Sequence, residues 1–329
     1  MLIKTTLIIL AVFIVIFGVI AGIDIYKSIK KKDGTPKFNK KISISAYLML
    51  APAVVLAFIF IMLPILFSLG YAFTDYYLLE PDETKFVFLD NFASILEEIK
   101  YKGDLYHAIR NTAVFVVCVV PLQIGLALML AIFCNRKVKG VGIFKICFFA
   151  PVVISLSVTS YLWLHILSPS ETGLLNSILG LFGQAPKDFL REPKTAILWI
   201  VVLSAWQGCG FQMLIFLSAL TNIRKDLYEA ASLDGANNFQ KFLYVTVPQL
   251  KPTFLYVLIT VVIGACRIMV QPMIMVGAEM PHILTLSYYM YSLGYTNYDV
   301  GRSSALALLM TIIIGGITLI QRKLLGEKD

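Results

Sequence analysis

A few polar side chains interrupt the long apolar stretches of this sequence, and their types suit hydrogen bonding and ring stacking. They are Ser204, Trp206, Gln207, Gly208, Arg267 and Gln271, with Gln123 and Gln212 as further polar positions. An indole can stack on the apolar face of a ring, while amides and hydroxyls exchange hydrogen bonds with solute hydroxyls. Arg267 and Gln271 are four residues apart, which predicts one shared helix face. The set therefore suits a hydroxyl-rich solute, although each glutamine could equally serve as a hydrogen-bonding link between helices.

Residues for covalent or metal chemistry are not arranged in a recognisable pattern. The apolar stretches carry no Asp or Glu in their central turns, and GxSxG, HExxH and GxxxxGK[ST] do not occur. The five cysteines stand singly and the three histidines lie in separate segments. We therefore predict no disulfide framework and no metal site. We expect no enzyme, so that a process driven by ATP would need its ATPase on a separate polypeptide.

Composition indicates that long helices in lipid must position these side chains. Of 329 residues, 58% are hydrophobic and 15% are charged, whereas a soluble domain is about one quarter charged. A helix needs about 20 apolar residues to cross a membrane. Seven stretches meet or approach that length: 5–23, 42–71, 111–133, 142–167, 196–219, 252–276 and 303–320.

Lys and Arg concentrate in every second loop between these stretches. Seven lysines lie within 27–41, and other basic groups lie within 136–139, 224–241 and 322–328. Excess Lys and Arg in short loops marks the cytoplasmic side. This pattern predicts an outward N-terminus and a cytoplasmic C-terminus, and it explains the net charge of +8 without a nucleic-acid partner.

The domain organisation follows from the same pattern. Residues 1–26 are predicted to be a retained N-terminal anchor helix, because no small-x-small cleavage site follows the apolar stretch. A cleaved signal peptide is the alternative. Residues 27–41 form a basic cytoplasmic linker, and 42–329 form a six-span core with a cytoplasmic loop at 221–251. The predicted fold is an all-α integral membrane protein with one transmembrane helix added before the core.

The 221–251 loop is polar, and its capping and turn residues predict two short helices. Asp226 and Glu229 have the spacing of a capping box, which predicts a helix over 227–234. Gly235 suits the left-handed residue that ends it. Asn237 or Asn238 is expected to cap a second helix that ends near Pro248. A two-turn helix is not stable alone in water, so the residues leave open a solvated elbow or a segment that docks in a partner.

Glu229, Ala230, Ala231 and Gly235, with nine further residues and then VTVP ending at Pro248, resemble the EAA loop of bacterial ATP-binding-cassette importer membrane subunits. In that family the loop is the coupling helix, which sits in a cleft of the ATPase subunit. The resemblance therefore implies that Glu229, Ala230, Ala231, Asp234 and Gly235 couple the chain to an ATPase.

Further segments are similar to the carbohydrate importers of the maltose and glycerol-phosphate type. These are FLDNF at 88–92, TGLLN at 172–176, the Phe-Gln-x-Phe of the loop, and QPMIMVGAEMP at 271–281. Ala278 and Glu279 depart from the family's glycine pair, which bears on the substrate rather than on the family. In the related maltose subunit, sugar contacts come from the spans before and after the EAA loop. Those spans hold Ser204, Gln207 and Gly208 here, and Arg267.

The resemblance implies half of a translocation path for a sugar or oligosaccharide in the bacterial cell (plasma) membrane. The implied partners are a second homologous permease subunit, two copies of a cytoplasmic ATPase that carries ATP and Mg, and an extracytoplasmic solute-binding protein. No cofactor is expected on this chain. The alternatives are an importer for a non-sugar solute and an ion-driven secondary transporter. The latter is expected to show a midplane acid or histidine, or broken helices in paired halves, and the sequence suggests neither.

Overall fold

The structure is a computed structural model that describes Gly18 and residues 40–136, 139–170, 172–277 and 283–325. The described part consists of helices joined by turns and irregular segments, with two isolated β-bridges, Thr74–Phe86 and Tyr77–Asp299. The predicted all-α fold is confirmed. The predicted anchor helix apart from Gly18, most of the 27–41 linker, and Ala278 and Glu279 lie outside the described residues.

Among the described residues, the helices follow one another along the chain with π-helical segments and a 3-10 turn between them. They are α1 (Lys40–Ala57), π Phe58–Met62, α2 (Leu63–Tyr71), 3-10 Pro81–Glu83, α3 (Asp90–Lys100), α4 (Asp104–Cys134), α5 (Val141–Val153), α6 (Leu156–Ile166), α7 (Leu174–Leu181), α8 (Pro193–Asn222), α9 (Lys225–Leu233), α10 (Asn238–Lys241), π Phe242–Thr246, α11 (Val247–Gln249), α12 (Lys251–Cys266), α13 (Val270–Met275), α14 (Leu286–Tyr291), π Ser292–Thr296 and α15 (Val300–Leu325).

Five helical stretches of the described chain are long and apolar enough to cross a membrane. They are Ala46–Tyr71, Asp104–Cys134, Thr195–Asn222, Lys251–Met275 and Val300–Leu324. The pair α5 and α6 passes the same test together but is bent by 100°. The six-span core is reached when this bent pair is counted as one span.

Two of the predicted spans are broken, and the expectation of continuous helices is wrong there. The predicted span 142–167 divides at Ile154 and Ser155, whose backbones are extended. Pro151 precedes this break and cannot donate the helical hydrogen bond to the residue four before it. The span 252–276 divides between Cys266 and Val270.

Helix α8 is the centre of the packing. It runs in the same direction as α4, since the first halves of both helices share one apolar cluster and their second halves share another. Ala127, Ala131 and Ala205 are fully buried in these helices. In lipid, close approach of backbones at small residues favours helix association. In contrast, the span Ala46–Tyr71 has 11% of its most apolar window buried, against 61% for Thr195–Asn222.

A partly buried ionic cluster holds the end of the bundle opposite the 221–251 loop. The Glu98 carboxylate accepts hydrogen bonds from the Tyr289 hydroxyl at 2.8 and 2.9 Å and from the Leu105 amide at 3.0 Å, and it pairs with Arg302. These contacts join α3, α4, α14 and α15 at one end of the bundle. They fix the ends of helices that surround the polar side chains further along their length.

Candidate functional site

A cavity of about 390 Å³ lies between α4, α8 and the broken pair α12 and α13. Its volume is within the range of small-ligand sites, roughly 300–1,000 Å³. Predicted polar residues meet in its wall, which includes Ser204, Gln207, Gly208, Arg267 and Gln271, together with Gln123 and Gln212. The structure thus brings together residues from three spans that are far apart in sequence.

Two pairs of polar side chains in this wall bond to each other across helices. Gln271 Nε2 donates to Ser204 Oγ at 3.2 Å, and Gln123 Nε2 donates to Gln212 Oε1 at 3.1 Å. Linking helices is therefore part of what these residues do. Each amide keeps a second N–H, and each retains acceptor capacity for a solute.

Gln207 differs from the other glutamines of the cavity wall because one of its amide atoms is buried without a partner among the described residues. Its Nε2 donates to the Ile154 carbonyl at 3.2 Å, which satisfies the backbone group freed by the break between α5 and α6. Its Oε1 accepts no hydrogen bond, although the side chain is buried. An unpaired buried acceptor costs about 1–3 kcal/mol.

Gly208 allows the wall to close around the amide of Gln123. A Cβ at this position would lie 2.3 Å from Gln123 Nε2. Any larger residue must displace Gln123 and break its bond to Gln212.

Arg267 occupies the break between α12 and α13 and not the middle of a helix. It follows the last residue of α12, and α13 begins at Val270. The expectation that Arg267 and Gln271 share one helix face is therefore wrong, because no continuous helix joins them. The broken backbone nevertheless carries both side chains into the wall of the same cavity.

Two hydroxyls that sequence analysis does not single out hold this break. Thr285 Oγ1 donates to the Ile268 carbonyl at 2.7 Å, and Ser287 Oγ donates to the Cys266 carbonyl at 3.3 Å. Both residues lie beyond the predicted span, so hydrophobic periodicity carries no sign of their role.

Trp206 lies outside the cavity wall. Its ring packs against Trp163 of α6, with centroids 6.1 Å apart and planes tilted by 56°. It is 38% exposed in the isolated chain. The two tryptophans join α6 to α8.

The 221–251 loop forms the second part of the site, and its first helix starts earlier than predicted. Helix α9 begins at Lys225 after Arg224, which provides no side-chain cap. The predicted capping box of Asp226 and Glu229 is wrong, because Asp226 lies within the first turn and bonds with Arg224 instead. This bond from the guanidinium lowers the pKa of the Asp226 carboxyl below its ordinary value. A carboxylate here still complements the positive end of the helix.

The predicted end of the first helix and start of the second are confirmed. Gly235 has φ +79°, and the amides of Ala236 and Gly235 donate to the carbonyls of Ala231 and Ser232 at 2.9 and 3.1 Å. These two bonds form a Schellman motif.

Asn237, the first of the two predicted cap residues, caps α10 and forms a capping box with Gln240 at 2.8 and 2.9 Å. The helical path continues past Pro248 to Gln249, slightly beyond the predicted end, before Pro252 opens the next span.

The loop presents both polar and large apolar residues on its surface. Glu229, Ala230, Asp234 and Gly235 are exposed, and Ala231 is half-buried. Leu233 is 90% exposed and Phe239 is 71% exposed, one on each side of the Gly235 turn. Sequence analysis does not single out Leu233, and it notes Phe239 only as part of the Phe-Gln-x-Phe segment. The loop thus offers a hinged two-helix surface with its apolar side chains turned outward.

Comparisons with known proteins match most of the chain. The family model described as "Binding-protein-dependent transport system inner membrane component" matches residues 93–325. The chain is 34% identical over 284 residues to the arabinooligosaccharides transport system permease protein AraP of Bacillus subtilis (strain 168), covering 85% of this chain and 88% of AraP. It is 32% identical over 259 residues to the lactose transport system permease protein LacF of Rhizobium radiobacter, covering 77% and 84%.

A solved structure has a similar fold. It is a chain of a bacterial ABC transporter involved in the import of the acidic polysaccharide alginate, with a TM-score of 0.73 and 23% identity. The match covers 86% of this chain and 96% of that chain. At this identity the likeness concerns the fold alone.

Proposed function

Since the chain belongs to the family of binding-protein-dependent transport system inner membrane components, we propose that it is the membrane-spanning subunit of an ATP-driven importer for a sugar or oligosaccharide. AraP and LacF are named for the transport of such solutes and align with most of this chain. On this proposal the chain forms half of the translocation path.

The meeting of Gln123, Ser204, Gln207 and Gln271 in the wall of one cavity is the observation that carries this proposal. A sugar brings hydroxyl donors for the free acceptor positions of this wall, and it can accept from the second N–H groups of Gln123 and Gln271. Ser204, Gly208 and Arg267 complete the proposed contact surface. Trp206, which stacks on Trp163, is proposed to support the path and not to touch the solute.

The proposed source of energy is a separate ATPase, with ATP and Mg bound to that partner and no cofactor on this chain. The surface of this chain on which the ATPase docks is proposed to be the 226–248 loop. The proposed contact residues are Glu229, Ala230, Ala231, Asp234 and Gly235. The Schellman stop and the Asn237 capping box support this role, because they give the loop a fixed shape that can transmit a force. The exposed Leu233 supplies apolar area for the contact.

The remaining partners follow from the family. We expect a second homologous permease, two copies of the ATPase and an extracytoplasmic binding protein that delivers the solute. In the bacterial cell membrane the 221–251 loop and the C-terminus would face the cytoplasm, and the N-terminus would face outward. The peripheral span Ala46–Tyr71 leaves much of its surface available for a neighbouring subunit.

The experiment is uptake by the assembled transporter in proteoliposomes with its binding protein and a labelled oligosaccharide. Gln207→Leu removes the unpaired acceptor and the donor to Ile154, so we expect at least a tenfold loss of uptake while the subunits still co-purify. Gln184→Leu removes an exposed amide and serves as the matched control. Normal uptake by Gln207→Leu would contradict a solute path through this cavity.

A further inference from the structure

Arg267 lies where two cavities meet. A second cavity, of about 610 Å³, lies between α2, α12, α14 and α15. Arg267 and Met269 belong to the walls of both cavities. Arg267, which is exposed in the isolated chain, therefore borders the space that a solute in either cavity would occupy.

The guanidinium is not needed to cap the end of α12. Among the described residues, the carbonyls around the break already accept hydrogen bonds. Those of Gly264 and Ala265 accept from the amides of Arg267 and Ile268 at 3.2 and 3.3 Å. The carbonyls of Cys266 and Ile268 accept from Ser287 and Thr285. The five N–H donors of the Arg267 side chain are thus left for another acceptor.

The described residues also provide no acidic partner for Arg267. Their ion pairs are Arg224–Asp226 and Glu98–Arg302, and neither lies in the cavities. Helices α8, α12, α13 and α15 contain no Asp or Glu at all. Because a charged side chain within a membrane protein is costly, a guanidinium retained here suits a ligand that supplies the opposite charge.

The rest of the second cavity is suited to a sugar ring. Tyr291 and Tyr295 stack with centroids 4.8 Å apart, which offers an aromatic surface. The hydroxyls of Ser287, Ser303 and Thr311 each donate to a backbone carbonyl. They keep their acceptor lone pairs and can receive hydrogen bonds from solute hydroxyls. An acidic group has only acceptors to offer, so its match in this wall is Arg267.

We propose that the transported solute is a saccharide with an acidic group, a carboxylate or a phosphate, and that Arg267 binds this group at the junction of the two cavities. The inference rests on the proposed function and adds the chemical class of the solute. The planar guanidinium can hold either anion through two parallel hydrogen bonds. The hydroxyls and the Tyr291–Tyr295 pair hold the rings on either side.

The test compares ATP-driven uptake of three labelled solutes by the assembled transporter: a uronic acid trisaccharide, a sugar phosphate and a neutral trisaccharide. The wild type is expected to prefer at least one acidic solute. Arg267→Gln should lower the ratio of acidic to neutral uptake by about 10- to 100-fold, the usual effect of losing a charge-assisted hydrogen bond. Arg267→Lys should recover part of the ratio, because it keeps the charge and loses the bidentate geometry. Arg322→Gln, an exposed position at the end of α15, controls for the loss of one positive charge.

Glu279, which lies outside the described residues, provides a second control. If it were the partner of Arg267, Glu279→Gln would change the acidic-to-neutral ratio as Arg267→Gln does, and the double variant would add nothing further. We expect Glu279→Gln to leave the ratio within twofold of the wild type.

An unchanged ratio in Arg267→Gln would overturn the inference, as would a wild type that imports the neutral trisaccharide and neither acidic solute. Those results would leave the proposed sugar import standing. Failure of the wild type to import any saccharide with ATP would overturn the proposed function and the inference with it.

Discussion

Three glycine-to-alanine substitutions test the packing around the cavity with one added methyl group each. At Gly208 the new Cβ would lie 2.3 Å from Gln123 Nε2 and 2.8 Å from its Cδ. The blocking atoms are the end of a flexible side chain, so Gln123 should rotate away and lose its 3.1 Å bond to Gln212. Alanine stabilises a helix more than glycine does. The unpaired buried amide and the crowding should outweigh that gain and lower the stability of the protein by about 1–3 kcal/mol.

Gly208→Ala should therefore fold, melt at a lower temperature and import poorly, because the displaced amide occupies the cavity. The substitution at Gly210 should be more destabilising, because the new Cβ would lie 2.2 Å from the Phe148 carbonyl oxygen and the backbone cannot rotate aside. We expect little folded protein from Gly210→Ala. Gly125→Ala adds a methyl group in open space on α4 and should be neutral or stabilising by about 0.5–1 kcal/mol.

The assays are thermal melting of the purified complex and solute uptake in proteoliposomes, measured on the same preparations. Wild-type melting and uptake in Gly208→Ala would refute the packing described around Gln123. Equal losses of stability and uptake in Gly125→Ala and Gly208→Ala would show that the change to alanine in the helices, and not crowding of the cavity wall, causes the loss.

Three further predictions concern the loop and the far end of the bundle. Gly235→Pro, which cannot adopt φ +79°, and Glu229→Lys should abolish uptake while the protein remains in the membrane. Normal import by either variant would show that the loop only connects two spans. Glu98→Gln removes the charge of a carboxylate with three partners and should cost about 1–3 kcal/mol in thermal melting, with an unchanged melting temperature as the contrary result. Asn237→Ala should lower the stability of the protein by about 1 kcal/mol and lower uptake. Asn238→Ala removes no cap and should change neither quantity. Equal effects of the two substitutions would show that the Asn237 cap does not contribute.

Local chemistry in the loop was predictable from sequence where one residue decides the geometry. Gly235 ends α9 because its backbone tolerates a left-handed conformation. Asn237 caps α10 because its side chain reaches amides two or three residues on. Asp226 was misassigned because the helix begins earlier and Arg224 competes for its carboxylate. A single ion pair of this kind leaves no trace in a capping pattern.

Sequence predicted the polar residues of the cavity wall, but it wrongly included Trp206 and did not predict how the wall is built. Polar residues in apolar spans must face an interior, which was enough to bring Gln207 and Arg267 into one wall. The breaks before Leu156 and after Cys266 were not predicted, because they depend on hydrogen bonds that Gln207 and Ser287 donate to carbonyls of distant elements. Hydrophobic periodicity contains no information about such tertiary hydrogen bonds.

The most direct test of the central claim is solute uptake into proteoliposomes that hold the assembled transporter, with ion gradients collapsed by ionophores. The account predicts that uptake continues under these conditions and requires ATP, the separate ATPase and the binding protein. Uptake that stops when the gradients collapse, or that proceeds without the ATPase subunit, would contradict an ATP-driven importer and favour an ion-driven carrier.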